Sequence, residues 1–150
     1  MALVKVLARD WVTEINTGTE ETPVWTPIGG VETLTFSQDK EDADDTDFNS
    51  QGWAEHMVVQ RSNSLTLEGK YMEDPQTGER DPGQEAVEQA GEAIGYDSLK
   101  QFRLTSPGGT VRTFKASVLI GDIGGGLNDK TSWGAELTIS GPITKQQGGS

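Results

Sequence analysis

One hundred and fifty residues, 33% of them hydrophobic and 19 of them glycine, suffice for one domain of thin, turn-rich layers and not for two cores. A formal net charge of −12, from 24 acids against 12 bases, argues against a grip on nucleic acid or anionic lipid, which needs clustered Lys and Arg. There is no cysteine, hence no disulfide or thiolate metal site. No apolar run approaches the roughly 20 residues of a membrane helix, and the start MALVKVLARDW is charged too soon for a signal peptide, so synthesis and folding in a cytoplasm are expected.

Period-two alternation of apolar and polar residues, the strand signature, dominates the chain. Residues 3–15 read as one or two strands, followed by a turn (NTGTEETP) and by VWTPIGGVETLTFS, in which Leu34 and Phe36 share a face. The next stretch, DKEDADDTD, packs six carboxylates and one lysine into nine residues. With its glycine exit it predicts a long loop over 38–52, repelling itself and mobile in a monomer. Residues 53–61 and 63–71 read as two strands. In the second, Leu65, Leu67 and Tyr71 oppose Thr66, Glu68 and Lys70.

One helix is expected over 81–95. Asp81 is placed to cap it, Pro82 occupies the first helical position where its missing N–H costs nothing, and Gly95 suits the left-handed C-terminal position. Ala86, Val87, Ala90, Ala93 and Ile94 form its narrow apolar stripe, with Glu85, Glu88, Gln89 and Glu92 facing away. Three more strands follow: Phe102 and Leu104 mark the first, Phe114, Ala116, Val118 and Ile120 the second, and Trp133, Ala135, Leu137 and Ile139 the third. The ending KQQGGS is expected to be unstructured, with 146–150 a flexible tail. The whole is one domain over 1–145, mainly β with one flanking helix, and without internal repeats.

Catalytic and metal signatures fall short. Asp45, Asp47 and Asn49 copy the first three ligand positions of a calcium loop, but Ser50 and His56 stand where that loop wants Gly and Glu. They are a weak metal candidate beside the plainer reading of a solvated acidic loop. GGGLNDKT at 124–131 nearly matches a phosphate loop, yet Asp129 replaces the second glycine and a strand pattern follows, so it reads as a turn. His56 is the only histidine and has no nucleophile elbow beside it. The four tryptophans lie within strand patterns and suit a core or a subunit contact better than sugar stacking. No catalytic residue and no cofactor is expected.

Three segments, in order and spacing, carry a resemblance. They are the W-x-x-I-G-G turn of VWTPIGGVETLTFS, the run DTDFNSQGWAEHMVVQRSNSLTLEGKYMED, and the helix entry TGERDPGQEAVEQAG followed by late strands ending in GPIT. Together, over about residues 22–144, they resemble the tail tube (major tail) proteins of long-tailed, siphovirus-like bacteriophages.

The resemblance implies a β-sandwich or barrel-like domain that self-assembles into hexameric rings stacked as a tube. Such a tube encloses a tape-measure protein, meets tail-terminator and tail-tip proteins, and conducts DNA without binding it specifically. The location would be the virion tail, assembled in the bacterial host cytoplasm. The 39–52 segment would then be the loop that reaches an adjacent subunit or ring: Asp39, Glu41, Asp42, Asp44, Asp45 and Asp47 meet a neighbour's basic residues, with Phe48 and Trp53 as apolar anchors. Arg61, Lys70, Arg80, Arg103, Arg112 and Lys115 are the counter-charges on offer. Leu3, Val4, Lys5, Val6 and Leu7 would add as an edge strand to a neighbour. Glu68 and Glu136 are candidates to line a DNA-repelling lumen. The alternatives are a monomeric β-sandwich binding module for carbohydrate or a capsid surface, and a type VI-like secreted tube protein.

Overall fold

A computed structural model describes residues 3–44, 53 and 56–147. Its elements in chain order are β1 (Val12–Asn16), β2 (Trp25–Pro27), β3 (Val31–Asp44), β4 (His56–Lys70), α1 (Pro82–Glu92), β5 (Lys100–Thr105), β6 (Thr110–Ile120) and β7 (Ser132–Gln147). All seven strands belong to one antiparallel sheet of order β2-β1-β5-β6-β7-β4-β3. Among the described residues the domain is mainly β with one helix, as the alternation predicts.

Chain connectivity forces the sheet to curl. β2 and β3 are its two edges, and laid flat over seven strands they would lie about 29 Å apart. Yet only residues 28–30 separate Pro27 from Val31, a link that spans at most about 14 Å. The link is the IGG of the W-x-x-I-G-G turn, and it is hydrogen-bonded to both ends of the sheet. Ile28 N–H donates to Thr13 O on β1 (3.0 Å), and Gly30 O accepts from Lys70 N–H on β4 (2.9 Å). Glycine is required at this seam. Gly30 has φ +73°, and a Cβ on Gly69 would lie 1.9 Å from Gly30 O.

The pleat puts one apolar set inside the curl. Cross-strand neighbours run Ile15, Phe102, Phe114 through β1, β5 and β6, and Leu34, Leu67, Ala135 and Phe36, Leu65, Leu137 through β3, β4 and β7. Leu65, Leu67, Phe102 and Leu137 are wholly buried. Removing each such side chain from water is worth about 2 kcal/mol. Phe102 and Phe114 stack with ring centroids 6.2 Å apart. α1 closes the core with Val87 and Ala90, packing on β6, β1 and β2.

Several sequence expectations need correction. Residues 38–44 continue β3 instead of opening a loop, because β4 pairs with them as far as Asp44↔His56. The two strands expected over 53–71 are one strand, β4, uninterrupted across Ser62. Lys145–Gln147 are not tail but strand, paired with β6 down to Thr110↔Gln147. Residues 3–7 form no strand within the chain and lead into a 3-10 turn at Ala8–Asp10. α1 ends at Glu92, so Ile94 leaves the apolar stripe and is 89% exposed, and Gly95 (φ +74°) opens a 3-10 turn instead of capping the helix.

Candidate functional site

The segments that carry the resemblance meet in space. Asp81 caps α1, its Oδ2 accepting from Gln84 N–H (3.1 Å), and the same oxygen accepts from Gly29 N–H (3.0 Å). Gln84, fully buried, donates from Nε2 to Gly29 O (2.9 Å) and to Lys70 O (2.8 Å), while its Oε1 accepts from Met72 N–H (3.0 Å). A buried amide persists only when its donors and acceptors are used. Here it ties the helix start, the seam turn and the exit of β4 into one unit. Arg80 completes it, lying 3.9 Å from the Tyr71 ring centroid, donating from Nε to Met72 O (3.1 Å) and pairing with Glu88 at 2.6 Å. Glu88 is therefore half-buried, not facing away.

From this rigid seam an arm projects. β7 pairs with β4 only over Asn63–Lys70, so His56–Ser62 have β3 as their sole strand partner among the described residues. β3 and β4 continue together as a two-stranded ribbon about 20 Å long, with a register shift between Glu41 and Asp42. β7 leaves β4 where Gly141 turns to φ +84° and Pro142, lacking an N–H, has no donor to give it. From there β7 follows β6 alone. The sheet thus forks, with the β3–β4 arm as one prong and the β6–β7 end as the other.

The face opposite the core is hydroxyl-rich, with Thr35, Ser64, Thr66, Thr138 and Ser140 on it. Glu68 and Glu136 lie there as diagonal neighbours, since Thr66 pairs with Glu136 and Glu68 with Gly134. Both are exposed. Exposed Leu119 sits directly opposite Glu136 on β6.

The proposed interface residues divide as follows. Asp39 is on the arm and exposed, and Glu41, Asp42 and Asp44 continue the same strand. Asp45, Asp47 and Phe48, and with them Asn49 of the weak metal candidate, lie outside the described residues. Trp53 is 78% exposed, so it is no core residue. Leu3, Val4, Lys5, Val6 and Leu7 are all exposed, Leu3 at 97%. Four of the six counter-charges are committed within the chain. Lys70 pairs with Glu32 (3.7 Å), Arg80 with Glu88, Arg103 with Glu14 (2.7 Å) beneath the Trp25 ring, and Lys115 with Glu20 (2.6 Å). Among the described residues no carboxylate pairs with Arg61 or Arg112, and Arg112 lies 5.8 Å from the Trp11 ring centroid. Among the described residues no three His, Cys, Asp or Glu side chains group to hold a metal ion. The turn at 124–131 joins β6 to β7, with Asp129 Oδ2 accepting from Gly126 N–H (3.2 Å). Sequence reasoning missed Gln84, because its partners are backbone groups brought close only by the curl.

The fold, a curled sheet with a seam-pinned helix and a projecting arm, is shared with solved structures of tails and a tail tube. Among solved structures the chain is similar to the tail of an empty gene transfer agent particle obtained with sixfold symmetry, at TM-score 0.69 and 19% identity over 95% of this chain and 99% of that one. It is also similar to a chain in the virion of the native gene transfer agent particle, at TM-score 0.65 and 19% identity over 95% and 99%. A third likeness is to the SPP1 tail tube, at TM-score 0.63 and 14% identity over 96% of this chain and 80% of that one. No family model and no curated protein matches the sequence.

Proposed function

We propose that this chain is the repeating subunit of a phage-type tail tube, closing into hexameric rings that stack around a bore. The observation that carries this is the end-to-end match of one 150-residue domain to tail proteins, at TM-score 0.69 over 95% of this chain and 99% of the other. The sixfold symmetry of that tail supports the ring of six. In the assembled tube the face with Glu68 and Glu136 lines the lumen, so that DNA phosphates are repelled and slide. The arm, Trp53 and the 39–52 acids reach the adjacent subunit or ring, and residues 3–7 pair with a neighbour's sheet edge. A tape-measure protein occupies the bore before DNA does, and terminator and tip proteins cap the ends.

Exposed Leu3, Val4, Val6, Leu7 and Trp53 become contact surface in the tube, whereas a monomer would leave them in water. Negative-stain microscopy of the purified chain at rising concentration tests it. Hollow tubes or stacked annuli are expected, and a solitary 16.2 kDa species at every concentration would overturn it.

A further inference from the structure

One exposed segment has a backbone that its own fold leaves unused. Among the described residues, 3–6 give and receive no backbone hydrogen bond, and at Leu7 only the carbonyl is engaged, accepting from Asp10 N–H (3.1 Å). Leu7 is extended, with φ −86° and ψ 141°. The segment reads LVKVL, without Pro or Gly and with β-branched Val at every second position, which is strand chemistry. The acidic exposed turns differ, because they close on themselves. Over 17–24, Thr17 N–H donates to Val24 O and Thr19 N–H to Thr22 O, and over 72–79, Asp74 N–H donates to Glu79 O and Gly78 N–H to Asp74 O. Pro23 and Pro75 further unfit them as strands.

The sheet has two edges, β2 and β3. β2 is three residues long and ends in Pro27, which has no N–H to offer. β3 runs for 14 residues. Edge strands are ordinarily protected from further pairing by charge, Pro or a bulge. On β3 the register shifts fall between Val31 and Thr33 and between Glu41 and Asp42, and the charges stand at Glu32 and from Asp39 onward. Residues 33–38, TLTFSQ, carry none of these devices. Leu34 and Phe36 lie there on the core face and are only half-buried, since among the described residues no strand flanks them on the outer side. Thr33, Thr35 and Ser37 are exposed on the other face. The inner flanks of the fork fit less well. Pro142 interrupts β7, and on β4 residues 60–62 are polar and exposed, with no apolar side chain to cover.

We infer that residues 3–7 of one copy add as a strand to the β3 edge of a second copy at 33–37. The inference rests on the tube reading and names the edge which that reading leaves open. The pleat chooses the face. With Val4 and Val6 over Leu34 and Phe36, apolar surface leaves water on the core side, and Lys5 falls opposite Thr35 on the hydroxyl-rich side, whichever way the strand runs. A slip of one residue would turn Lys5 onto the core face. A copy does not use its own segment for this: Leu3 and Val4 are 97% and 76% exposed. Each copy thus presents one strand and one edge, a heterologous contact that generates a ring when its rotation closes.

The chain has no cysteine, so engineered ones report the pairing without background. Lys5→Cys and Thr35→Cys chains, mixed in equal amounts and assembled under mild oxidation, are expected to form a disulfide between copies, read on a non-reducing gel and placed by peptide mass spectrometry. Opposed strand residues hold their Cβ atoms about 4.5–5.5 Å apart, near the span a disulfide closes. Lys5→Cys mixed with Leu127→Cys, on a fully exposed turn, is the control expected to stay unlinked. Independently, Val4→Glu with Val6→Glu alters only side chains exposed in the monomer, so circular dichroism should be unchanged while tubes need at least about tenfold more protein. Tubes in which no bond joins positions 5 and 35 would overturn this inference and leave the tube reading intact, and so would a glutamate variant that assembles at the unaltered concentration. A bond closed within one chain carrying both cysteines would also overturn it, by placing the segment on its own edge. An unaltered chain that never assembles would overturn both.

Discussion

Gln84→Ala is the sharpest stability test of the seam. The substitution removes three short hydrogen bonds, to Gly29 O, Lys70 O and Met72 N–H. It strands those backbone groups at a site where Gln84 itself has no exposed surface. Each bond contributes about 1 kcal/mol net, and a buried group left without a partner costs about 1–3 kcal/mol. Water entering the vacated space recovers part of this, so the expected loss is about 3–5 kcal/mol, a large share of the roughly 5–15 kcal/mol that holds a domain folded. Urea unfolding followed by tryptophan fluorescence reads the change, with Gln89→Ala on the exposed helix face as a control expected within about 0.5 kcal/mol. Gln84→Glu adds a pH signature. A carboxylate there would face two carbonyl oxygens, so burial raises its folded pKa above the unfolded value. The destabilisation is then smallest below the unfolded value and grows as pH rises from that value to the folded one. A loss under about 1 kcal/mol for Gln84→Ala would refute the idea that this amide locks the seam.

Other outcomes follow from the same geometry. Gly69→Ala places a Cβ 1.9 Å from Gly30 O and is expected to cost about 3 kcal/mol or more, whereas Gly108→Ala, which meets nothing within 4 Å, stays within about 0.5 kcal/mol by thermal melting. Glu68→Lys with Glu136→Lys is expected to leave tubes intact but make them retain DNA in sedimentation at low salt and release it at high salt. Amide exchange at residues 3–7, fast in the monomer, is expected to slow in tubes as those N–H groups find a neighbour's sheet edge; equal rates would remove the edge-strand role. Asp74 titrates below the ordinary aspartate value because it accepts from Gln76 N–H at 2.9 Å, with Thr77 adding to the effect. Its turn is therefore supported above the unfolded carboxyl pKa and loses that support as pH falls through the lowered one, which the carboxyl shifts in an NMR titration would follow.

Where a strand has a wet face and a dry face, its residues declare it. Phe114 and Ala116, and Trp133 through Ile139 at every second position, are buried as their alternation predicts. Asp81 and Pro82 mark the helix start correctly, because capping chemistry is local. The arm was illegible for the complementary reason: a two-stranded ribbon whose described side chains, at 38–40 and 60–62, are all exposed imposes no alternation, so DKEDAD reads as loop and RSN at 61–63 as a break. Lys145–Gln147 fail in the same way, since they pair with β6 without burying anything. Gln84 looks like an ordinary helix polar residue until the curl brings Gly29 O and Lys70 O to it, from 55 and 14 residues away in sequence.

A helical reconstruction of the assembled protein tests the account most directly. It predicts sixfold annuli in which every β3–β4 arm crosses a subunit boundary and Glu68 and Glu136 face an open bore. Annuli in which the arm stays within its own subunit's perimeter, or in which those two glutamates face outward, would contradict it.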